Sequence, residues 1–149
     1  MKKIVFVTFL LLTNLLALSP FSLEGIHDVN LKVIDKSKLT TKENLEKIKY
    51  DLQYNLEKLD IKTKSENFSN LIVKIQGVKI KDSYVMHISM FIVEDSIPSR
   101  NKDLESMSIT YYKDDFFDSD SKEIQIDIYE SIINYLLSDF TEQYEEENS

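Results

Sequence analysis

Residues 84–93, YVMHISMFIV, read as a β-strand from their side-chain period alone. Tyr84, Met86, Ile88, Met90 and Ile92 are apolar at every second position. A helix would scatter them around its surface, whereas a pleated strand puts all five on one face. The intervening positions, Val85, His87, Ser89, Phe91 and Val93, are mixed. One wholly apolar face needs a covering layer. The chain must therefore supply amphipathic helices, and it has two segments that fit.

In the first, Leu45, Ile48, Leu52, Leu56 and Leu59 recur at spacings of three and four, which predicts a helix of about 18 residues. Thr40 with Glu43 has the spacing of a capping box at its start. In the second, Tyr129, Ile132, Ile133, Leu136, Phe140 and Tyr144 form a stripe on a helix expected from Ser121 to Tyr144. The acids after it, residues 145–149, read as a frayed tail. Val29, Leu31 and Val33 alternate as a strand before the first helix. Leu71, Val73 and Ile75 alternate after it, and Gly77 is expected to form a bulge that shifts the phase to Val78 and Ile80. Lys81-Asp82-Ser83 reads as a hairpin turn. A last strand is expected to put Met107, Ile109 and Tyr111 on the inner side.

The order is β-α-β-β-β-α. It predicts an α+β fold, a two-layer sandwich whose mostly antiparallel sheet carries two helices packed on one face. The first strand pairs parallel through the helical crossover, and the other three form a meander. The domain is expected over residues 26–144.

Met1-Lys2-Lys3, an apolar run from Ile4 to Leu18, and the small residues of LALSPFS make the three-part layout of a secretory signal peptide over residues 1–22. Cleavage is expected between Ala17 and Ser22. The run is about 15 residues, short of the roughly 20 that span a bilayer, so no stable membrane span is expected after cleavage. Losing Lys2 and Lys3 takes the net charge from −8 to about −10. Such a surface does not neutralise phosphates, which excludes nucleic acid, and it does not favour an anionic membrane. The expected location is a bacterial periplasm or the medium.

With this element order and an export signal, the chain resembles the small auxiliary components of bacterial envelope transport systems. These include accessory lipoproteins of lipopolysaccharide assembly and of ABC transporters. The resemblance implies a helper role at the envelope. Those families are lipidated on a cysteine, and this chain has none.

Catalytic motifs are missing. Gly25 and Gly77 are the only glycines, which excludes phosphate-cradling loops and dinucleotide fingerprints. Without cysteine there is no thiol nucleophile and no cysteine-ligated metal. His27 and His87 lie in no metal-binding pattern. The acidic stretch YYKDDFFDSDSKE, residues 111–123, fails the calcium-loop spacing, because Lys122, Glu123 and Tyr129 fall at the fifth, sixth and twelfth positions of a loop that begins with Asp118 as its first. It reads instead as a helix entry, with Asp120 as cap and Glu123 as the reciprocal acid. No catalytic residue, cofactor or metal is expected.

What remains is the second sheet face, too apolar for a solvated surface. Val85, His87, Phe91, Val93, Thr110 and Tyr112 are its candidate partner residues. The expected function is that of an exported non-enzymatic accessory or interaction protein of the envelope. Its partner would be an envelope protein or a lipid. The alternative is a small apolar-ligand or lipid binder with its cleft near Met86, Met90 and Met107.

Overall fold

The computed structural model describes residues 21–149, so the expected leader lies outside the described residues except for Phe21 and Ser22. Four strands, β1 (Asn30–Asp35), β2 (Ser69–Ile80), β3 (Ser83–Ser96) and β4 (Ser106–Asp120), form one sheet in the order β1-β2-β3-β4. β1 runs parallel to β2, and the β2-β3 and β3-β4 pairs are antiparallel. Helix α1 (Lys42–Lys58) makes the crossover between β1 and β2. The C-terminal helix has three parts: α2 (Ile124–Glu130), a π-helical segment (Ser131–Leu136) and α3 (Leu137–Glu147).

The core follows from strand alternation. Leu71, Val73, Ile75, Met86, Ile88, Met90 and Ile92 are fully buried, and they join Ile48, Leu52 and Leu56 of α1 in one cluster. The C-terminal helix adds Ile124, Ile128, Ile132, Leu136 and Phe140, all at steps of four. An α-helix at 3.6 residues per turn lets each such step drift by about 40°. The π segment takes more residues per turn and so holds the five on one face.

Several local expectations are corrected. β2 pairs with β3 without a break through Gly77 opposite Met86, so there is no bulge there. Val78 and Ile80 therefore keep the outer phase and are exposed. Gly77 serves to make room: a Cβ at this position would stand 2.3 Å from the Met86 sulfur. The bulge lies instead between β3 and β4, where Ile92 pairs with Tyr111 and Val93 with Ile109, leaving Thr110 unpaired. It moves Met107 and Ile109 to the outer face, where both are exposed. The α1 cap is Thr41, whose hydroxyl accepts from Asn44 N at 3.2 Å, one residue later than the capping box placed it. Gln125 braces that cap: its Oε1 accepts from Thr41 N and its Nε2 donates to Leu39 O.

The two ends of the described chain are tied together. The Glu147 carboxylate accepts from Leu23 N and from Ser22 Oγ. Asn148 Oδ1 accepts from Gly25 N at 2.9 Å, and its Nδ2 donates to Leu23 O at 3.1 Å. Tyr144 donates to Ile26 O at 3.1 Å. Leu23 is fully buried in the core cluster. The packed region thus begins before residue 26, and residues 145–147 continue the helix where a frayed tail was expected.

Candidate functional site

The acidic stretch folds mainly as strand. β4 runs on through Asp120, and α2 starts only at Ile124. Asp120 does cap, but it caps the turn before the helix: its Oδ1 accepts from Lys122 N at 2.7 Å and Glu123 N at 3.0 Å. Those two bonds hold its carboxyl below the ordinary value of 3.8. Glu123 is the α2 N-cap position and makes no side-chain cap bond. A depressed carboxyl stabilises the fold above its unfolded pKa and loses that effect as pH falls through the folded one. Asp120→Ala should therefore lower the melting temperature at pH 7, and the difference should shrink as pH falls below the ordinary 3.8 and through the depressed folded pKa. Thermal melts of both proteins across pH 2–7 check this.

Strand alternation distributes the other acids. Asp114 pairs with Ser89, Phe116 with His87 and Asp118 with Val85, all on the outer face of the sheet. Asp115 pairs with Ile88 and falls on the opposite side. Among the described residues, no three carboxylate or imidazole groups converge to hold a metal ion.

The outer face has a polar unit at its centre. Asp114 Oδ2 lies 3.0 Å from His87 Nε2 and accepts from Tyr112 OH, also at 3.0 Å. An ionised carboxylate only accepts, so Nε2 carries the hydrogen when Asp114 is charged. Partial burial, then the hydrogen bond to Asp114 and its charge, push the Tyr112 phenol above its usual range. The His87 ring lies flat on Phe116, with centroids 4.0 Å apart and planes 2° from parallel. Among the described residues, Asp114 is the one side chain hydrogen-bonded to His87. This is cross-strand pairing, which stiffens the face.

Apolar side chains surround that unit. Val85, Phe91 and Val93 are half-buried on the outer side of β3. Tyr112 sits beside Phe91 at 6.3 Å between ring centroids, and Phe21 meets the Tyr112 ring at 6.4 Å. Val78, Ile80, Met107, Ile109 and Phe116 are exposed, Phe116 by 66%. Of the six residues expected from sequence, five share this face. Thr110 does not, because the bulge turns its hydroxyl to Glu94 Oε2 at 2.7 Å, on the core side of β3. The cleft expected near three methionines is not assembled. Met86 and Met90 are fully buried, and Met107 stands on the other face.

The sequence did not place Phe116, Met107, Ile109, Val78 and Ile80 on this face: Met107 and Ile109 were expected on the inner side, and Val78 and Ile80 were expected beyond a bulge. A period-two signal was present in Tyr112-Asp114-Phe116-Asp118, with aromatics and acids sharing one face.

No protein-family model matches this sequence, and no curated protein matches it significantly.

Proposed function

We propose that this is an exported, non-enzymatic accessory or interaction protein of the bacterial cell envelope, which docks a protein partner on its outer sheet face. The observation that carries this reading is the pair of apolar groups that flank the His87–Asp114 unit on this face: exposed Phe116, Val78 and Ile80 with half-buried Val85 on one side, and exposed Met107 and Ile109 with half-buried Phe91 and Val93 on the other. Several large apolar side chains exposed on one sheet face are costly unless something covers them, and in soluble proteins they commonly mark an interaction site. Aromatic side chains such as Phe91, Tyr112 and Phe116 suit the centre of such a contact. Phe116 has the features of an anchor: it is large, exposed and held by stacking on a hydrogen-bonded histidine. The export part rests on the leader-like residues 1–22. The accessory role rests on the element order shared with envelope transport auxiliaries. No helix among the described residues is long and apolar enough to cross a membrane.

The experiment is quantitative affinity capture from envelope extract, comparing the full chain with its Phe116→Asp variant. A partner enriched by the former and reduced at least about tenfold by the latter is expected, since burying an unpaired charge at an interface centre costs more than 1.4 kcal/mol. Equal enrichment by both proteins contradicts the reading.

A further inference from the structure

A second surface lies at the opposite edge of the sheet from β4. Among the described residues, β1 pairs with β2 alone, so its other edge has no strand beside it over Leu31–Asp35. Which backbone groups face that edge follows from three hydrogen bonds. Val29 N donates to Lys62 O at 2.8 Å, and Lys62 N donates to His27 O at 2.9 Å. Lys36 N donates the other way, to Ile75 O of β2 at 2.8 Å. Backbone groups alternate sides along a strand, so even-numbered residues address β2 and odd-numbered ones address the edge. Leu31 and Val33 thus direct their N–H and C=O groups outward, on the side where Lys62 already makes a parallel bridge to Asp28.

A cleft of about 670 Å³ runs along this edge, between β1, α1 and the segment of residues 63–68. Leu31, Val33 and Phe68 give it apolar walls, and Lys32, Lys49 and Lys64 line it. Among the described residues, no carboxylate lines it. Lys49 is shared with Glu46 at 3.3 Å, while Lys32 and Lys64 enter no ion pair among the described residues. In a chain of net charge −8 this is a local reversal of sign.

We propose that the β1 edge is a strand-addition site for an extended, carboxylate-bearing segment of a partner protein. Main-chain hydrogen bonds to Leu31 and Val33 supply the attraction common to all extended peptides, and the flanking side chains select among them. Lysines on an exposed edge oppose pairing with a second copy, because like edges would bring Lys32 of each copy together. The same lysines favour an acidic strand. The overall negative charge does not prevent this, since at physiological salt charges beyond about 8 Å are largely screened. The proposal rests on the interaction-protein reading but uses a different surface from the outer face.

The probe is a fluorescein-labelled peptide of alternating glutamate and valine, about six residues long, which is the usual strand length. Fluorescence polarisation with the full chain should give a Kd below about 1 mM. Lys32→Glu combined with Lys64→Glu should weaken binding by at least about tenfold. N-methylation of alternate peptide amides should abolish binding for one set and spare it for the other, because one side of an added strand faces β1. Val33→Pro is a second variant. It removes an edge-facing donor and leaves pairing to β2 intact, so it should keep the fold and lose the peptide. No binding up to millimolar protein, or equal loss from both methylated sets, overturns the edge proposal and leaves the outer-face reading to its own capture test. Peptide binding lost in Phe116→Asp but retained in the lysine variant also overturns it, and assigns the peptide to the outer face.

Discussion

Phe140→Ala should cost about 3–5 kcal/mol of stability, the range for removing a large aromatic from a core. Phe140 is fully buried. Tyr111 meets it edge-on, with centroids 5.2 Å apart and planes at 85°, and Tyr144 stacks on it at 6.4 Å. Tyr111 has its hydroxyl buried without a hydrogen-bond partner among the described residues. Burial chiefly, aided by the charge of Asp139, pushes that phenol far above its usual range. A cavity beside it would remove packing from a group already kept from water. Tyr144 also donates to Ile26 O, so loosening its ring weakens the tie between the two ends of the chain. The loss should lower the melting temperature by roughly 10 °C or more in a domain of this size. Phe116→Ala is the matched control. It removes a ring 66% exposed on the other face, together with its cross-strand stacking on His87, and should cost no more than about 1 kcal/mol. Denaturant melts of both variants read the difference directly.

Deleting residues 145–149 should destabilise the protein by about 2 kcal/mol at pH 7, the order expected for losing a charged hydrogen-bond acceptor with its neighbours. The deletion takes away Glu147, which holds Leu23 N and Ser22 Oγ, and Asn148, which holds Leu23 O and Gly25 N. Leu23 would then keep its packing and the bond from Ile26 N to its carbonyl, but its own N–H would lose its acceptor. For the Glu147 carboxyl, burial by itself would raise the pKa. Bonds from Leu23 N, Gln143 and Ser22 outweigh burial and leave it below the ordinary 4.5. A group depressed in the folded state contributes fully above its unfolded value and nothing below its folded one. The gap between full-length and shortened chains should therefore narrow as pH falls below about 4.5, with the part due to Asn148 remaining. Amide exchange at Leu23 and Gly25 should rise sharply in the shortened chain at pH 7. Unchanged exchange there would show that these bonds do not hold the segment.

How legible this fold was depends on which interactions set each part. Alternation at Tyr84–Ile92 and the leucine stripe of α1 are strong local patterns, and they carried the element order and a parallel pairing for β1, while the choice of β2 as its partner came from the structure. Packing decided what they could not. Gly77 resembles a bulge residue in sequence, but its role is to admit the Met86 sulfur from the facing strand. The bulge at Thr110 has no glycine to mark it, and it reverses the sides of Met107 and Ile109. In the stretch after Tyr112, five acids suggested a helix entry. The strand persists because β3 offers pairing partners as far as Ser83, and because Phe116 packs on His87. Asp120 keeps its capping chemistry because an aspartate bonding the amides two and three residues on is a local interaction. The partner surface was half legible for the same reason: β3 positions follow from alternation, while β4 positions depend on the bulge.

The β1 edge was the least visible feature. Lys32, Lys49 and Lys64 are far apart in sequence, and only the crossover brings them to one cleft. A lysine count in an acidic chain gives no hint of such grouping.

The most direct measurement of the central claim is site-specific photo-crosslinking in the source cells. A photoreactive residue is placed at Phe116, at Ile109 or at Val78 on the outer face, and at Tyr50 or Ile126 as exposed controls on the helices. The account predicts one discrete crosslinked species shared by the three sheet positions and missing from the helix positions. Crosslinks of equal yield from both sets, or from the helix positions alone, would contradict the outer sheet face as the docking surface.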